Sequence, residues 1–296
     1  MKDQADRLRA LASAGPGGEG PAAAPLGGQR VVAVASGKGG VGKTNVVANL
    51  GTLLAGRGLA VTILDADFGL ANLDILLNLN PRRNLGHLLR GEAGPEEVLV
   101  EASPGLRVIP GATGMETLAD LGDADRESLL SSLAPLTAGA DLLLIDTAAG
   151  IGRNVVALCT AASEVILVTN PEPTSLTDAY GLTKVLLGRR PEGVIRLLVN
   201  SVSGAEEGQA VHRTLDEVVR RFLGAGIGYL GHLPKDDYVG RATRRQTPFV
   251  TAYPRCRASL GLAAVADALL GETRGRPKPG GEPTFWRRLL AVGAEA

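Results

Sequence analysis

Gly37-Lys38-Gly39-Gly40-Val41-Gly42-Lys43-Thr44 fits the frame G-x-x-x-x-G-K-[ST] and carries a second lysine, Lys38, directly after its first glycine. Upstream runs Val31-Val32-Ala33-Val34-Ala35, a short β-branched apolar stretch of the kind a buried parallel strand needs. Downstream, Val46 to Leu54 opens a helical pattern. A glycine-rich turn between strand and helix is a phosphate cradle. The N–H groups of Gly37, Gly39, Gly40, Val41 and Gly42 curl around an anion, the helix N-terminus adds partial positive charge, and Lys43 adds a full one. Thr44 supplies the hydroxyl that such loops direct at Mg²⁺.

Outward from this loop, apolar runs alternate with helical patterns. Strands are expected near 31–35, 60–65, 106–109, 141–146, 164–169, 195–200 and 227–231, with helices filling most of the gaps. The alternation predicts an α/β fold: one doubly wound P-loop NTPase domain, with a mostly parallel central sheet flanked by helices. Ligands then bind beyond the carboxyl ends of the strands. The run at 60–64 delivers Asp65 and Asp67 to that end, one of them placed to orient an attacking water. Leu142-Leu143-Leu144-Ile145-Asp146 is four apolar residues and then a carboxylate, the pattern that holds Mg²⁺ through its water shell. Gly150, just beyond, is expected to bring a backbone N–H against the γ-phosphate.

Composition narrows the class. The 296 residues are 45% hydrophobic but only 3% aromatic, so the core is packed by Val, Leu, Ile and Ala, and stacking on nucleic acid is disfavoured. A formal net charge of zero removes any global attraction to DNA or to an anionic membrane. Cys159 and Cys256 lack C-x-x-C spacing; both are expected to be buried thiols in a reducing compartment. No stretch approaches a membrane span, and the N-terminus carries no apolar signal segment, so a cytoplasmic chain is expected.

Two Gly/Pro-rich stretches divide the chain. Residues 15–28 and 273–283 read as linkers, leaving an N-terminal element at 1–14, the main domain at 29–272 and a tail at 284–296. In the tail, Phe285, Trp286, Leu289, Leu290 and Val292 cover an arc of about 160° on a helix, with Arg287 and Arg288 opposite. That is the composition of a weak interfacial helix, two of which in a dimer would bind lipid by avidity; the alternative is a tail that packs on its own domain.

The Lys-bearing loop, Leu64-Asp65-Ala66-Asp67-Phe68-Gly69-Leu70-Ala71-Asn72 and Asp146-Thr147-Ala148-Ala149-Gly150 together resemble the ParA/MinD deviant Walker A ATPases, over roughly residues 30–270. The resemblance implies ATP and Mg²⁺ as ligands and slow, regulatory hydrolysis in an ATP-dependent homodimer. It implies that Lys38 reaches the partner's phosphates, Asp67 positions the water, Asp65 supports the Mg²⁺ shell and Asn72 lies at the dimer face. It also assigns adenine to Asn200, helped by the backbone at Pro234.

At the N-terminus, Asp3-Gln4-Ala5-Asp6-Arg7-Leu8-Arg9 resembles the D-Q-A-x-x-L-R motif of the FlhG (YlxH/FleN) group of flagellar-number regulators. That likeness implies an FlhF-like signal-recognition-type GTPase as partner, contacted by Gln4 and Leu8, with flagellar switch proteins as further candidates. It implies peripheral attachment to the inner face of the cell membrane through the tail. A MinD-type division-site ATPase shares the loop and the tail but not the N-terminal motif. A ParA-type DNA-partitioning ATPase would need a basic surface, for which only Arg241, Arg244 and Arg245 speak.

Overall fold

In the computed structural model, residues 29–67, 72–111, 123–271 and 284–294 are described. The expected N-terminal element, with Gln4 and Leu8, and both linkers lie outside them. Eight strands form one sheet: β1 (Arg30–Ser36), β2 (Val61–Ala66), β3 (Val100–Ser103), β4 (Leu106–Ile109), β5 (Leu142–Ala149), β6 (Glu164–Thr169), β7 (Ile195–Val202) and β8 (Gly228–Pro234). Their order is β3-β4-β2-β5-β1-β6-β7-β8. All neighbours are parallel except β3 and β4. The seven strands read from the sequence are present. The short β3 was not expected: it is antiparallel, half-exposed and of mixed polarity, and lacks the continuous apolar run that marks the buried strands.

The sheet is covered on both faces, and β1 shows how. Val31, Ala33 and Ala35 belong to one apolar core, while Val32 and Val34 belong to the other. Successive side chains of a strand point to opposite faces, so five consecutive apolar residues seed two cores at once. The helices divide accordingly. On one face lie α1 (Lys43–Ala55) and the later helix Arg257–Gly271; on the other lie Asp123–Thr137, Arg153–Ala161, Pro173–Arg189 and Ala205–Leu223. In chain order after α1 come α2 (Leu73–Leu76), α3 (Leu85–Leu89), α4 (Asp123–Thr137), α5 (Arg153–Ala161), α6 (Pro173–Arg189), α7 (Ala205–Leu223), α8 (Asp237–Arg244), α9 (Phe249–Ala252), α10 (Arg257–Gly271) and α11 (Thr284–Ala294). Because β1 lies between β5 and β6, the chain leaves it toward β2 on one side and builds β6 to β8 on the other. Its carboxyl end is the switch point, where doubly wound sheets open a crevice.

The tail departs from the expectation of a free amphipathic segment. Helix α11 packs on α5 and α4, with Phe285, Trp286 and Leu289 at 3%, 3% and 5% exposure and Leu290 partly buried against the same core. The Trp286 indole Nε1–H donates to Thr137 Oγ1 at 3.2 Å. The apolar arc is real, but protein rather than lipid covers it. The cysteines also separate: Cys159 is buried, and burial pushes its thiol up to about 12, whereas Cys256 is only half-buried beside Ser259.

At the amino end of the sheet, Glu164 is buried between two guanidiniums. Arg196 donates to its Oε1 from Nε at 3.0 Å, and Arg30 pairs with its Oε2 while also donating to the Leu269 carbonyl at 2.7 Å. This cluster ties β1, β6, β7 and the end of α10 together, and its charges are satisfied only as a set. Glu164→Ala would remove the carboxylate that the two arginines share in a desolvated pocket. The expected loss is about 3–5 kcal/mol in urea unfolding, well above that of Glu192→Ala on the surface.

Candidate functional site

The phosphate loop sits at the carboxyl end of β1. Its shape depends on glycine at two positions for different reasons. Gly42 caps α1 at φ +92°, in the left-handed region, and a Cβ there would lie 2.4 Å from Asn200 Nδ2. At Gly37 the obstacle is packing alone, since a Cβ would come within 2.2 Å of the Asp178 carbonyl on α6. The loop is thus pressed between α1 and α6.

Lys43, in the first turn of α1, is 7% exposed and its Nζ lies 3.1 Å from Asp146 Oδ1. Asp146 is fully buried in β5, three residues before the end of the strand. Its second oxygen, Oδ2, is buried with no hydrogen-bond partner. Burial raises the Asp146 carboxyl above its usual range, with Lys43 and Thr44 opposing. Next to it in register is Asp65 of β2, 2% exposed, whose carboxyl is pushed up to about 7, first by burial and then by the Asp146 charge. Two side-by-side buried carboxylates facing one lysine are short of positive charge. An orphaned carboxylate oxygen in that position suits a divalent cation or the water bound to one.

Asp65 has a second, structural task. Its oxygens accept from the backbone N–H of Asp67 at 3.2 Å and of Leu73 at 3.4 Å, so it holds both ends of the segment joining β2 to α2. Asp67 is half-buried beside it, and Asn72 is exposed at the start of α2. Lys38 points elsewhere: its Nζ lies 2.8 Å from Glu172 Oε2 and 2.9 Å from Thr174 Oγ1, at the start of α6. Sequence reading named Lys38 but not Glu172, whose signal was its place in Asn170-Pro171-Glu172-Pro173-Thr174, directly after β6.

Gly150 differs from expectation. Its backbone N–H donates to the Ser36 carbonyl at 2.8 Å, so it is not open to a phosphate in this conformation. At φ +94° the residue needs to be glycine, and the peptide could turn only because it is. Asn200 ends the regular part of β7 with its Nδ2 on the Val41 carbonyl at 2.7 Å and its Oδ1 on the Ser201 N–H at 2.9 Å. Pro234 closes the neighbouring β8. These two strand ends flank the loop on the side away from Asp65. The exposed apolar side chains Ile151 (58%) and Ile75 (49%) stand on segments that adjoin the site.

Residues 32–249 match the model of the CobQ/CobB/MinD/ParA nucleotide binding domain. Among curated relatives, the chain is 42% identical to the antiactivator FleN of Pseudomonas aeruginosa over 239 residues, 80% of this chain and 85% of that protein. It is 34% identical to the flagellum site-determining protein YlxH of Helicobacter pylori over 275 residues, 89% of this chain and 90% of that one. Among solved structures, the septum site-determining protein MinD of Pyrococcus horikoshii, complexed with Mg-ADP, superposes with a TM-score of 0.68 at 26% identity, covering 84% of this chain and all of that one. A loop with two lysines, a buried carboxylate pair beyond it and these likenesses converge: the chain belongs to the MinD/ParA nucleotide-binding family, among its FleN- and YlxH-like members.

Proposed function

We propose that the chain is a MinD-like ATPase that dimerises on ATP, associates with the membrane and regulates flagellar number or placement, acting on an FlhF-like GTPase. The observation that carries the ATPase reading is the contact of Lys43 with Asp146, whose second oxygen lacks a partner. Lys43 follows directly on the loop and would exchange Asp146 for the β- and γ-phosphates. Mg²⁺, held by Thr44 and Asp146 with Asp65 behind them, would neutralise the phosphate charge that the lysines leave. Asp67 lies next to this group and takes the water-positioning role. Asn200, fixed by two hydrogen bonds, and the backbone at Pro234 take the base.

Lys38 supports the dimer reading. Its present partners are exposed, 57% for the Glu172 side chain, so the pair is screened by solvent and parts readily. A second subunit's phosphates would outcompete them. A dimer over this face would also cover Ile75 and Ile151 and place Asn72 at the contact. Hydrolysis then ends the paired state, so ATP acts as a timer. Lys43→Ala should abolish binding of a fluorescent ATP analogue, whereas Asp67→Ala should bind it, accumulate dimers on size-exclusion chromatography and release phosphate at least about 10²-fold more slowly, a loss of the size of a missing general base. A monomeric Asp67→Ala protein with ATP would overturn the assignment.

Among the described residues no helix is long and apolar enough to cross a membrane, so attachment would be peripheral. Helix α11 is the candidate anchor, and it must leave its seat on α4 and α5 to expose Phe285, Trp286, Leu289 and Leu290. Trp286 is the only tryptophan and reports that step directly. With ATP and anionic vesicles, its emission should shift on leaving the Thr137 pocket and the protein should float with lipid; equal flotation with ADP would remove ATP control. The GTPase reading rests on the D-Q-A-x-x-L-R segment. Gln4→Ala should lose stimulation of GTP hydrolysis by an FlhF-like GTPase while ATP binding stays intact.

A further inference from the structure

The stretch from Tyr238 to Ala266 holds Arg241, Arg244, Arg245, Arg255 and Arg257 without one carboxylate, in a chain whose net charge is zero. These residues span α8, the short α9 and the start of α10, away from the phosphate loop's own charges. Two arginines are stacked on tyrosines that touch each other. The Arg241 guanidinium lies 5.1 Å from the centre of the Tyr238 ring, Tyr238 meets Tyr253 at 4.7 Å between ring centres, and Arg245 lies 5.7 Å from the Tyr253 ring. The order Arg241, Tyr238, Tyr253, Arg245 is a continuous ladder. Tyr238 is 42% exposed and both arginines face solvent. No salt bridge engages either guanidinium among the described residues.

The local carboxylate that might have neutralised the ladder is committed elsewhere. Asp236 caps α8 by accepting from the Tyr238 N–H and binds α10 by accepting from the Ala258 N–H, both at 3.0 Å. It fixes the two helices on which the ladder stands. Arg257 is held by its bond to the Ser203 carbonyl at 3.0 Å, and with Lys235, Tyr238 and Arg241 it borders an open groove beside the ladder. The result is a row of cations with aromatic backing, in which the exposed Asp237 shares the groove but forms no salt bridge with either ladder arginine among the described residues.

We propose that this ladder is a docking surface for an acidic segment of a protein partner. A guanidinium over a tyrosine ring loses less freedom when it binds, and its fork of N–H groups can grip a carboxylate by two parallel hydrogen bonds. Arginine and tyrosine are also the side chains that dominate binding energy in protein interfaces. Nucleic acid fits less well. Its affinity accumulates over many phosphate contacts in a broad positive field, whereas this chain is neutral overall and the exposed Asp237 lies at the edge of the patch.

The test is fluorescence anisotropy on the full chain at physiological salt, with a labelled poly-glutamate peptide and, separately, a labelled short duplex DNA. Poly-glutamate should bind the wild type. The double variant Arg241→Lys/Arg245→Lys keeps the charge but loses the stacked fork, and should bind about tenfold more weakly. Arg244→Lys, outside the ladder, should bind as the wild type does. Unchanged binding by the double variant would reduce the ladder to mere charge and overturn the proposal. So would tighter binding of the duplex than of the peptide, or no binding of the peptide. ATP hydrolysis measured alongside separates this result from the ATPase reading, since the ladder residues take no part in that site.

Discussion

Everything at the carboxyl crest is arranged around one charge imbalance. Asp146 and Asp65 lie in register near the carboxyl ends of adjacent strands and are both buried, yet Lys43 is the one cation bonded to the pair among the described residues, and Asp65 is met by the N–H groups of Asp67 and Leu73. A parallel sheet forces this proximity, because neighbouring strands bring their ends out side by side. Burial and mutual repulsion raise the Asp65 carboxyl to about 7, and burial raises the Asp146 carboxyl in the same direction. The imbalance is also what makes the site receptive to a cation. Strain of this kind persists only where the surrounding fold over-determines it, and two apolar cores sharing β1 do so here.

From the same crest a physical route leads to the tail. The Gly150 N–H is bonded to Ser36, next to the loop, and two residues later the chain enters α5. Helix α11 rests on α5. Any ligand that competes for the Gly150 N–H therefore acts on the base of the helix that seats Trp286. Helix α6 is held independently at the loop, by the close approach of Asp178 to Gly37 and by Lys38 on Glu172 and Thr174. The two helices bracket the loop, and each answers to a different part of it: α5 to the peptide at Gly150, α6 to the lysine at position 38.

Much of this was legible in the residues. The loop, the buried strands and the carboxylates at their ends are local in sequence: apolar runs set the strands, and a strand end sets where its next side chain must lie. What escaped was tertiary. Glu172 could be placed after β6 but not against Lys38, because that contact joins segments 134 residues apart. Glu164, Arg30 and Arg196 sit at or near strand starts, where charged residues read as solvated ends; only the sheet order shows that β1, β6 and β7 gather them in one pocket. The edge strand β3 is too short and too polar for its pattern to stand out.

The tail is the instructive case, because its periodicity marks an apolar face without choosing between lipid and the chain's own domain as its cover. An amphipathic arc states that a helix needs apolar neighbours along one side; it is silent on whether those neighbours are lipid chains or the side chains of α4 and α5. A tryptophan adds to the ambiguity, since its ring suits either setting while its N–H needs a partner in both. Thr137 supplies that partner here. The same surface would suit either covering, and in this structure it is the side chains of α4 and α5 that provide it. An anchor with no competing seat would bind membrane in every nucleotide state; a seat on the ATPase domain is what makes control by ATP physically available.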